Sequence, residues 1–540
     1  MRTDPSLEAN LVGRVNVGDM LTRTAWRLPD REAVIDGRRR WSYRELNDGV
    51  NRLAHGLLAV GYRRGDALAL VSGNSIEFLV VYYACAKIGV VCVPVNLAWG
   101  AREMAYVLAH SAARGVVVET QLVPVLTLAI ERASATIAEV IVAPGTASDW
   151  APGPGGTWTT LDEFTRDAPP DEPLCLVDDR DALSYLYTSG TTSAPKGVVS
   201  SHVAVYIESL NAPLVLGFSP SDRSVVMMPL FHTAQLNGFT TGLFYLGGTA
   251  VLMRSFEPET LLSTIETERI TQIFALPMMY RAMMDHSAMA RYDLSSLRLA
   301  LYAMAPMPET DLRRAMELFN CEFALGFGQT EMNPLTTVFP PDRQLTHPGS
   351  VGSPVPNVQV GIMDDSGRLL PVGEEGEIVY RGPHAMEGYL RDPVATEEAF
   401  RGGWFHSGDV GLFDDDGMLW FSDRRKDVIK TGGENVASLE VEKALYDNEP
   451  RIGETVVVGL PHPRWSEAIA AVVTPRAGET LAADDVLAAA RRTLPGFKVP
   501  KTVIFLDEMP RTATGKIQKN VLRERFHDHF DGPTVSRDVP

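Results

Sequence analysis

Residues 182–201 read ALSYLYTSGTTSAPKGVVSS: an apolar run, a loop of hydroxyl and glycine residues closed by Ala194-Pro195-Lys196-Gly197, and a second apolar start at Val198-Val199. Exposed backbone N–H groups and small hydroxyls can wrap phosphate oxygens, glycine admits a close approach, and Lys196 adds a mobile positive charge. The loop is not a Walker A motif, because Gly197 follows the lysine where that motif needs Ser or Thr. Taken alone, the run also fits an ordinary strand–turn–strand connection, so its meaning depends on what surrounds it.

Outward from this loop, and through roughly residue 420, β-branched runs of strand length alternate with segments of helical period. The runs include ALALVSG (67–73), GVVVE (115–119), EVIVA (139–143), TAVLM (249–253) and RLALYAM (298–304); between them lie segments such as MAYVLAHSA and PETLLSTIETERI. This alternation predicts α/β layering with mostly parallel sheets. The Pro/Gly-rich patches APGPGGTW (151–158) and PPDRQLTHPGS (340–350) read as loops. After about Gly417 the texture changes to short strands and helices, with ETVVVGL, EAIAAVVTP, DDVLAAARRTL and TVIFLDE, which suggests a compact α+β domain of about 115 residues. The final segment, DGPTVSRDVP, is polar and is expected to fray.

Composition narrows the function classes. A chain of 540 residues with 45% hydrophobic and 22% charged side chains is globular and can bury a large core, which rules out a disordered, collagenous or coiled-coil chain. Fifty Lys+Arg against 68 Asp+Glu give a net charge of −18, so the long-range field repels polyanions and argues against nucleic-acid or anionic-membrane binding; any phosphate ligand must be held locally. Cys85, Cys92, Cys175 and Cys321 show neither CxxC nor metal-ligand spacing, which fits a reducing compartment and a cytoplasmic location. The N-terminal MRTDPSLEANLVGRV carries charges and a proline where a secretory segment needs an apolar run, so no export signal is expected. The longest apolar stretch, Phe78 to Val95, is interrupted by Lys87, Gly89 and Pro94 and reads as a buried helix followed by a strand, without stable membrane insertion.

Five further blocks accompany the loop: MPLFH (228–232), GFGQTE (326–331), GWFHSGDVG (403–411), SDRRKDVIKTGGENV (422–436) and PRTATGKIQK (510–519). With them, nearly the whole chain resembles the adenylate-forming superfamily of acyl-CoA synthetases, luciferases and nonribosomal-peptide adenylation domains. The resemblance implies a large N-terminal domain of layered sheets and helices (1–422) and a small mobile α+β C-terminal domain (423–540), hinged near Asp423. It also implies a reaction in two halves: a carboxylate attacks the α-phosphate of ATP to give an acyl-AMP, whose AMP is then displaced by a nucleophile. An anion attacking a triphosphate needs cations and oriented donors around the transferring group.

By this resemblance, Thr188, Ser189, Gly190, Thr191, Thr192 and Lys196 cradle the β/γ-phosphates, Thr330 contacts the α-phosphate, and Glu331, with Thr188 beside it, holds Mg2+ against phosphate oxygens. Asp409 accepts from the ribose hydroxyls with help from Arg424. Phe327 stands where the family commonly has a tyrosine stacked on adenine, which keeps the stacking and loses the hydroxyl. Ala305, Pro306, Gly326, Gly328, Gln329 and Phe421 complete the nucleotide contacts. Lys516 resembles the lysine that bridges acid and phosphate in the first half-reaction. Lys430 and the loop Gly432-Gly433-Glu434 resemble the surface that enters the site for the second, opening a tunnel for the pantetheine thiol of CoA.

His232 resembles the histidine at the mouth of the acyl pocket, whose lining is expected from Thr233, Ala234, Gln235, Asn237, Tyr302, Ala303, Met304, Met332 and Asn333. Two departures stand out. Ala303-Met304 replaces the Gly-Gly of many relatives, adding bulk beside the nucleotide and acyl site, and Ser193 replaces a glycine of the phosphate loop. The leading expectation is a cytoplasmic ATP- and Mg2+-dependent ligase joining a fatty or aromatic acid to CoA, with a homodimer left open. The alternative is an adenylating enzyme that passes its acid to an amine or a carrier-protein thiol, or that activates nitrite for N–N bond formation. No residue argues specifically for a luciferase-type oxygenase. A dead nucleotide-binding scaffold is expected to lack Lys516, Glu331 or Asp409, and all three are present.

Overall fold

The structure is a computed structural model that describes residues 5–134, 136–188, 194–304, 307–476, 478–512 and 517–530. Among these residues the strands form four sheets of nine, eight, four and five strands. The valine-rich runs of the sequence become Ala67–Val71, Ala113–Glu119 and Glu139–Ala143, neighbouring parallel strands of the eight-stranded sheet. In the nine-stranded sheet, Arg223–Val226, Thr249–Leu252, Gln272–Ala275, Leu299–Tyr302 and Glu322–Gly328 also run parallel, with antiparallel strands at both edges.

Strand periodicity explains how the sheets stack. Leu68 and Leu70 face one core, while Ala67, Ala69 and Val71 face another; in the other sheet Val226 and Leu252 point oppositely to Val225 and Val251. Both sheets are therefore covered on both faces, as parallel sheets must be, giving five layers in the order helix, sheet, helix, sheet, helix. The middle layer includes Val17–Arg27, Tyr43–Ala59 and Ile76–Ile88. All residues of Ile76–Ile88 are buried, so the membrane-like hydropathy read from the sequence is that of a helix enclosed by two sheets. Ser75 caps its start by accepting from the Phe78 N–H at 3.0 Å, and Gly89 ends it with φ +70. Lys87, only 1% exposed, donates to Asn47 Oδ1 and Asn51 Oδ1 at 2.7 Å each and to Glu172 Oε2 at 2.6 Å. A charge so enclosed persists only when its donors are met.

Asn74 ties the two large sheets together. Its Nδ2 donates to the carbonyls of Val226 (3.2 Å), Met228 (3.1 Å) and Met253 (3.1 Å), and its Oδ1 accepts from the Leu230 N–H at 2.9 Å. The end of one sheet thus fixes the MPLFH segment that leaves the other.

The four-stranded sheet is antiparallel and comprises Gln359–Met363, Gly376–Arg381, Phe405–Phe413 and Leu419–Arg424. The change of texture near Gly417 therefore precedes the change of sheet by one strand. From Ile429 onward the strands belong to the five-stranded sheet, built on the hairpin Ile452–His462 and Ser466–Pro475 with Thr502–Phe505 parallel to its second strand. Asp423 joins the two parts: its Oδ2 accepts from Ser438 N (2.5 Å) and Oγ (2.6 Å) at the start of the helix Ser438–Asn448, where a carboxylate meets the positive helix end.

Replacing Asn74 with Ala strips buried carbonyls and one N–H of their partner. The urea midpoint is expected to fall by the equivalent of about 2–4 kcal/mol, because the segment leading to His232 loses its anchor.

Candidate active site

Ligand crevices of parallel sheets lie beyond the carboxyl ends of their strands. Here Ala182–Thr188 delivers Thr188, Leu299–Tyr302 delivers Ala303-Met304, Glu322–Gly328 delivers Gln329-Thr330-Glu331, and Arg223–Val226 leads to His232. Lys196 opens the antiparallel return strand and pairs directly with Thr188. Ser189, Gly190, Thr191, Thr192, Ala305, Pro306 and Lys516, together with Ser193, lie outside the described residues.

Thr330–Met332 forms one turn of 3-10 helix, bent back by Asn333 at φ +64. The bend packs tightly, for a Cβ on Gly328 would stand 1.9 Å from the Pro334 carbonyl oxygen, so only glycine fits there. Asn333 is fully buried; its Nδ2 donates to the His384 carbonyl (2.9 Å) and its Oδ1 accepts from Ser200 Oγ (2.6 Å). Beyond the turn, the buried Glu208 accepts from Leu335 N (3.0 Å) and Asn211 Nδ2 (2.7 Å), and burial pushes its carboxyl well above the usual range. Glu331 itself accepts at Oε1 from the Tyr389 hydroxyl at 2.9 Å, and its carbonyl accepts from Met386 N at 2.7 Å. The ring of Tyr389 also lies 4.7 Å from Lys196 Nζ.

Phe327 and Phe421 approach with ring centroids 5.4 Å apart at 43°, forming a partly buried aromatic edge. Asp409 is 6% exposed and lies opposite Arg424 in the strand pair, with Arg424 Nε 3.6 Å from its Oδ1. The structure thus brings the aromatic pair, the aspartate and the arginine together, with Phe421 and Arg424 on one strand and Asp409 on its neighbour. Gln329 and Thr330 lie part-buried between Gly328 and Glu331.

Of the expected acid-pocket residues, Thr233 precedes a π-helix, Ala234–Thr240, a wide turn common at functional sites. Burial pushes the His232 imidazole down to about 4, and its Nε2 is enclosed with no partner among the described residues. Gln235 donates from Nε2 to Thr240 Oγ1 (3.1 Å) and leaves Oε1 buried and unpartnered. Other side chains expected in the lining are held by the protein itself: Asn237 by Tyr82 (3.0 Å) and Thr233 (3.1 Å), and Tyr302 by Gln344 (2.7 Å). Met332 is fully buried, Ala303 is 9% exposed, and Met304, at φ +70, is 41% exposed. Met304 adopts the left-handed conformation that glycine takes freely, so its departure from the Gly-Gly pattern carries a backbone strain as well as bulk.

On the far part, Gly432 (φ +61) and Gly433 (φ +91) form the two-residue turn joining Ile429–Thr431 to Glu434–Val436, which leaves Lys430 and Glu434 exposed. Beside it stands Trp465, whose carbonyl accepts from Gly432 N at 2.9 Å. His462 stacks on its ring at 4.2 Å, and Lys501 Nζ and Arg464 Cζ lie 5.4 and 5.7 Å from it. Trp465, Tyr389 and Glu208 were not legible beside these groups, since each sits in an ordinary-looking segment and gains a partner from distant chain: Gly432 for Trp465, Lys196 and Glu331 for Tyr389, and Leu335 for Glu208.

Residues 21–390 match the AMP-binding enzyme family and residues 440–516 match the AMP-binding enzyme C-terminal domain. The chain belongs to the AMP-binding enzyme family. It is 38% identical over 510 residues to a feruloyl-CoA synthase of an Amycolatopsis species, covering 94% of this chain and 99% of that protein. It is 34% identical to the long-chain-fatty-acid–CoA ligase FadD13 of Mycobacterium tuberculosis, covering 95% and 98%. The anthranilate CoA ligase AuaEII, solved with anthranoyl-AMP, superposes with a TM-score of 0.87 at 26% identity, covering 94% of this chain and 97% of that one. For an AMP-binding enzyme, the α/β layering and the smaller α+β part are both as the sequence led one to expect.

Two outcomes follow for this enzyme. Met304→Gly relieves the left-handed strain, and a gain of about 1 kcal/mol in thermal or urea unfolding is expected; a loss of stability would show that Met304 packs favourably despite its backbone. His202 and His384 are buried and their pKa values are pushed by burial down to about 4 from an ordinary value of 6.5. The unfolded chain takes up protons in that window and the folded one does not, so stability is complete above 6.5 and falls as pH drops toward 4. Urea midpoints at about pH 7.5 and about pH 5 measure this; equal midpoints would contradict neutral burial.

Proposed function

We propose that this AMP-binding enzyme is an acid:CoA ligase that forms an acyl-AMP from a fatty or aromatic carboxylic acid and ATP and then transfers the acyl group to the thiol of CoA. The observation that carries the reading is the meeting of Lys196 and Glu331, 135 positions apart in the chain, on the two sides of one side chain, Tyr389. A cation and a carboxylate held apart in one crevice suit a triphosphate that arrives with a divalent ion.

The residues fit magnesium. Mg2+ takes oxygen ligands and is usually held by one or two carboxylates with the substrate's phosphates. Among the described residues no group of three or more His, Cys, Asp or Glu could hold a metal alone, so the ion would enter with the nucleotide, held by Glu331 with Thr188 nearby. When bound, it supplies charge neutralisation of the phosphate oxygens. Lys196 draws the β/γ-phosphates, Thr330 donates toward the α-phosphate, Phe327 and Phe421 offer an aromatic face to adenine, and Asp409 with Arg424 fixes the ribose. His232, neutral and with Nε2 unpartnered among the described residues, offers a hydrogen bond to the acid at the pocket mouth. Lys516 balances the negative charge that gathers as the carboxylate attacks, and losing it is expected to damage the first half-reaction far more than nucleotide binding.

A hinge near Asp423 is supported by its bonds to Ser438, which link the last strand of the four-stranded sheet to the first helix of the part that follows. In the second half-reaction Lys430 and the Gly432-Gly433 turn line the thiol's path. Trp465, ringed by His462, Arg464 and Lys501, supports CoA as acceptor, since a π-face flanked by cations suits an adenine carrying phosphates. A cytoplasmic location is supported by four free cysteines, and among the described residues no helix is long and apolar enough to cross a membrane.

Acid-dependent pyrophosphate release with ATP and Mg2+ tests the reading, across fatty, cinnamic and benzoic acids and nitrite, each with and without CoA. A carboxylic acid that releases pyrophosphate and consumes CoA thiol in equal amounts is expected. Release that is indifferent to CoA would transfer the assignment to an amine or carrier-protein acceptor, and release with nitrite alone to N–N bond chemistry.

A further inference from the structure

The short segment Met386–Leu390 crosses the cleft as a strap. Gly388 and Tyr389 pair antiparallel with Val199 and Val198, Leu390 N donates to the Gly197 carbonyl at 2.7 Å, and Met386 N donates to the Glu331 carbonyl at 2.7 Å. Tyr389 N is held in turn by Thr396 Oγ1 at 2.9 Å. The strap is therefore bonded on one side to the strand that carries Lys196 and on the other to the turn that carries Glu331. Its one side chain that reaches both charged groups is Tyr389, through the hydroxyl to Glu331 and the ring face to Lys196.

We infer that Tyr389 is a positioning residue for the metal-bound nucleotide: its hydroxyl orients the Glu331 carboxylate, and its ring holds the Lys196 ammonium off that carboxylate. The inference rests on the nucleotide reading given above. A carboxylate has lone pairs on both oxygens; a phenol donating to Oε1 fixes the plane of the group and leaves Oε2 for a hard cation. A lysine and a glutamate sharing one crevice would otherwise be drawn into an ion pair that must be broken before phosphate and metal can enter. The ring's negative face offers the ammonium a weaker partner that it can leave.

Manganese, which shares magnesium's preference for oxygen ligands and is visible by electron paramagnetic resonance, provides a readout that does not depend on turnover. Wild-type enzyme with ATP is expected to bind Mn2+, and Tyr389→Phe, which keeps the ring and loses the hydroxyl, to bind it about tenfold more weakly. In the steady state the same variant is expected to need about tenfold more Mg2+, with KM for the acid and the melting temperature little changed; a merely structural role would move all three. Glu331→Gln supplies the second arm: if Tyr389 acts through Glu331, adding Tyr389→Phe to Glu331→Gln costs little more, whereas additive losses overturn the inference. Equal Mn2+ affinity in wild type and Tyr389→Phe overturns it as well. Failure of the wild type to bind Mn2+ with ATP overturns instead the nucleotide reading on which it stands.

Discussion

The helix Ile76–Ile88 is the constraint on which the rest of the molecule depends. Burying an entire helix requires apolar surface on every side, and two parallel sheets with their own outer helices supply it. Once the helix is enclosed, the sheets are held face to face at a fixed distance, with their carboxyl ends brought together. Lys87 shows how demanding that enclosure is. Its ammonium is satisfied only because Asn47, Asn51 and Glu172, contributed by two other segments, all converge on it. Asn74, one residue before the helix cap, extends the same constraint into the site by bonding the end of one sheet to the segment leading to His232.

The chemistry is placed by what joins the sheets at their ends. Lys196 belongs to the eight-stranded sheet and Glu331 follows a strand of the nine-stranded one. Neither sheet alone sets the distance between them; the strap carrying Tyr389 does, with Ser200 and Asn333 adding a second tie. The proposed triphosphate site is compatible with an acidic chain because cations such as Lys196 act locally, within the crevice, where screening by water is weakest.

The buried polar groups divide into two kinds. Asn237, Tyr302 and Asn333 are saturated by protein partners and shape the walls. His232 Nε2 and Gln235 Oε1 are enclosed and unpartnered among the described residues. Buried donors and acceptors are rarely left so unless a ligand or water completes them, and the proposed acid would meet both atoms at the mouth of its pocket.

Much of this was legible in the sequence. Valine-rich runs at strand length specify buried parallel strands because side chains alternate between two apolar faces, and Phe78 to Val95 divides into helix and strand at Gly89 because glycine tolerates the left-handed cap. The blocks around Lys196, Glu331 and Asp409 carry the family resemblance, and it is that resemblance which implies phosphate, metal and ribose roles for them. The sequence could not show which members of a block face the ligand. Asn333 and Tyr302 stand in the expected segments yet turn into the scaffold, and Met304 is exposed in a backbone conformation its residue type does not favour. Nor could it show Tyr389, whose role comes from touching two groups 193 and 58 positions away. Local spacing fixes what an element is and what chemistry its side chains offer; only the tertiary packing, by closing loops of tens to hundreds of residues around one buried helix, decides which of them meet.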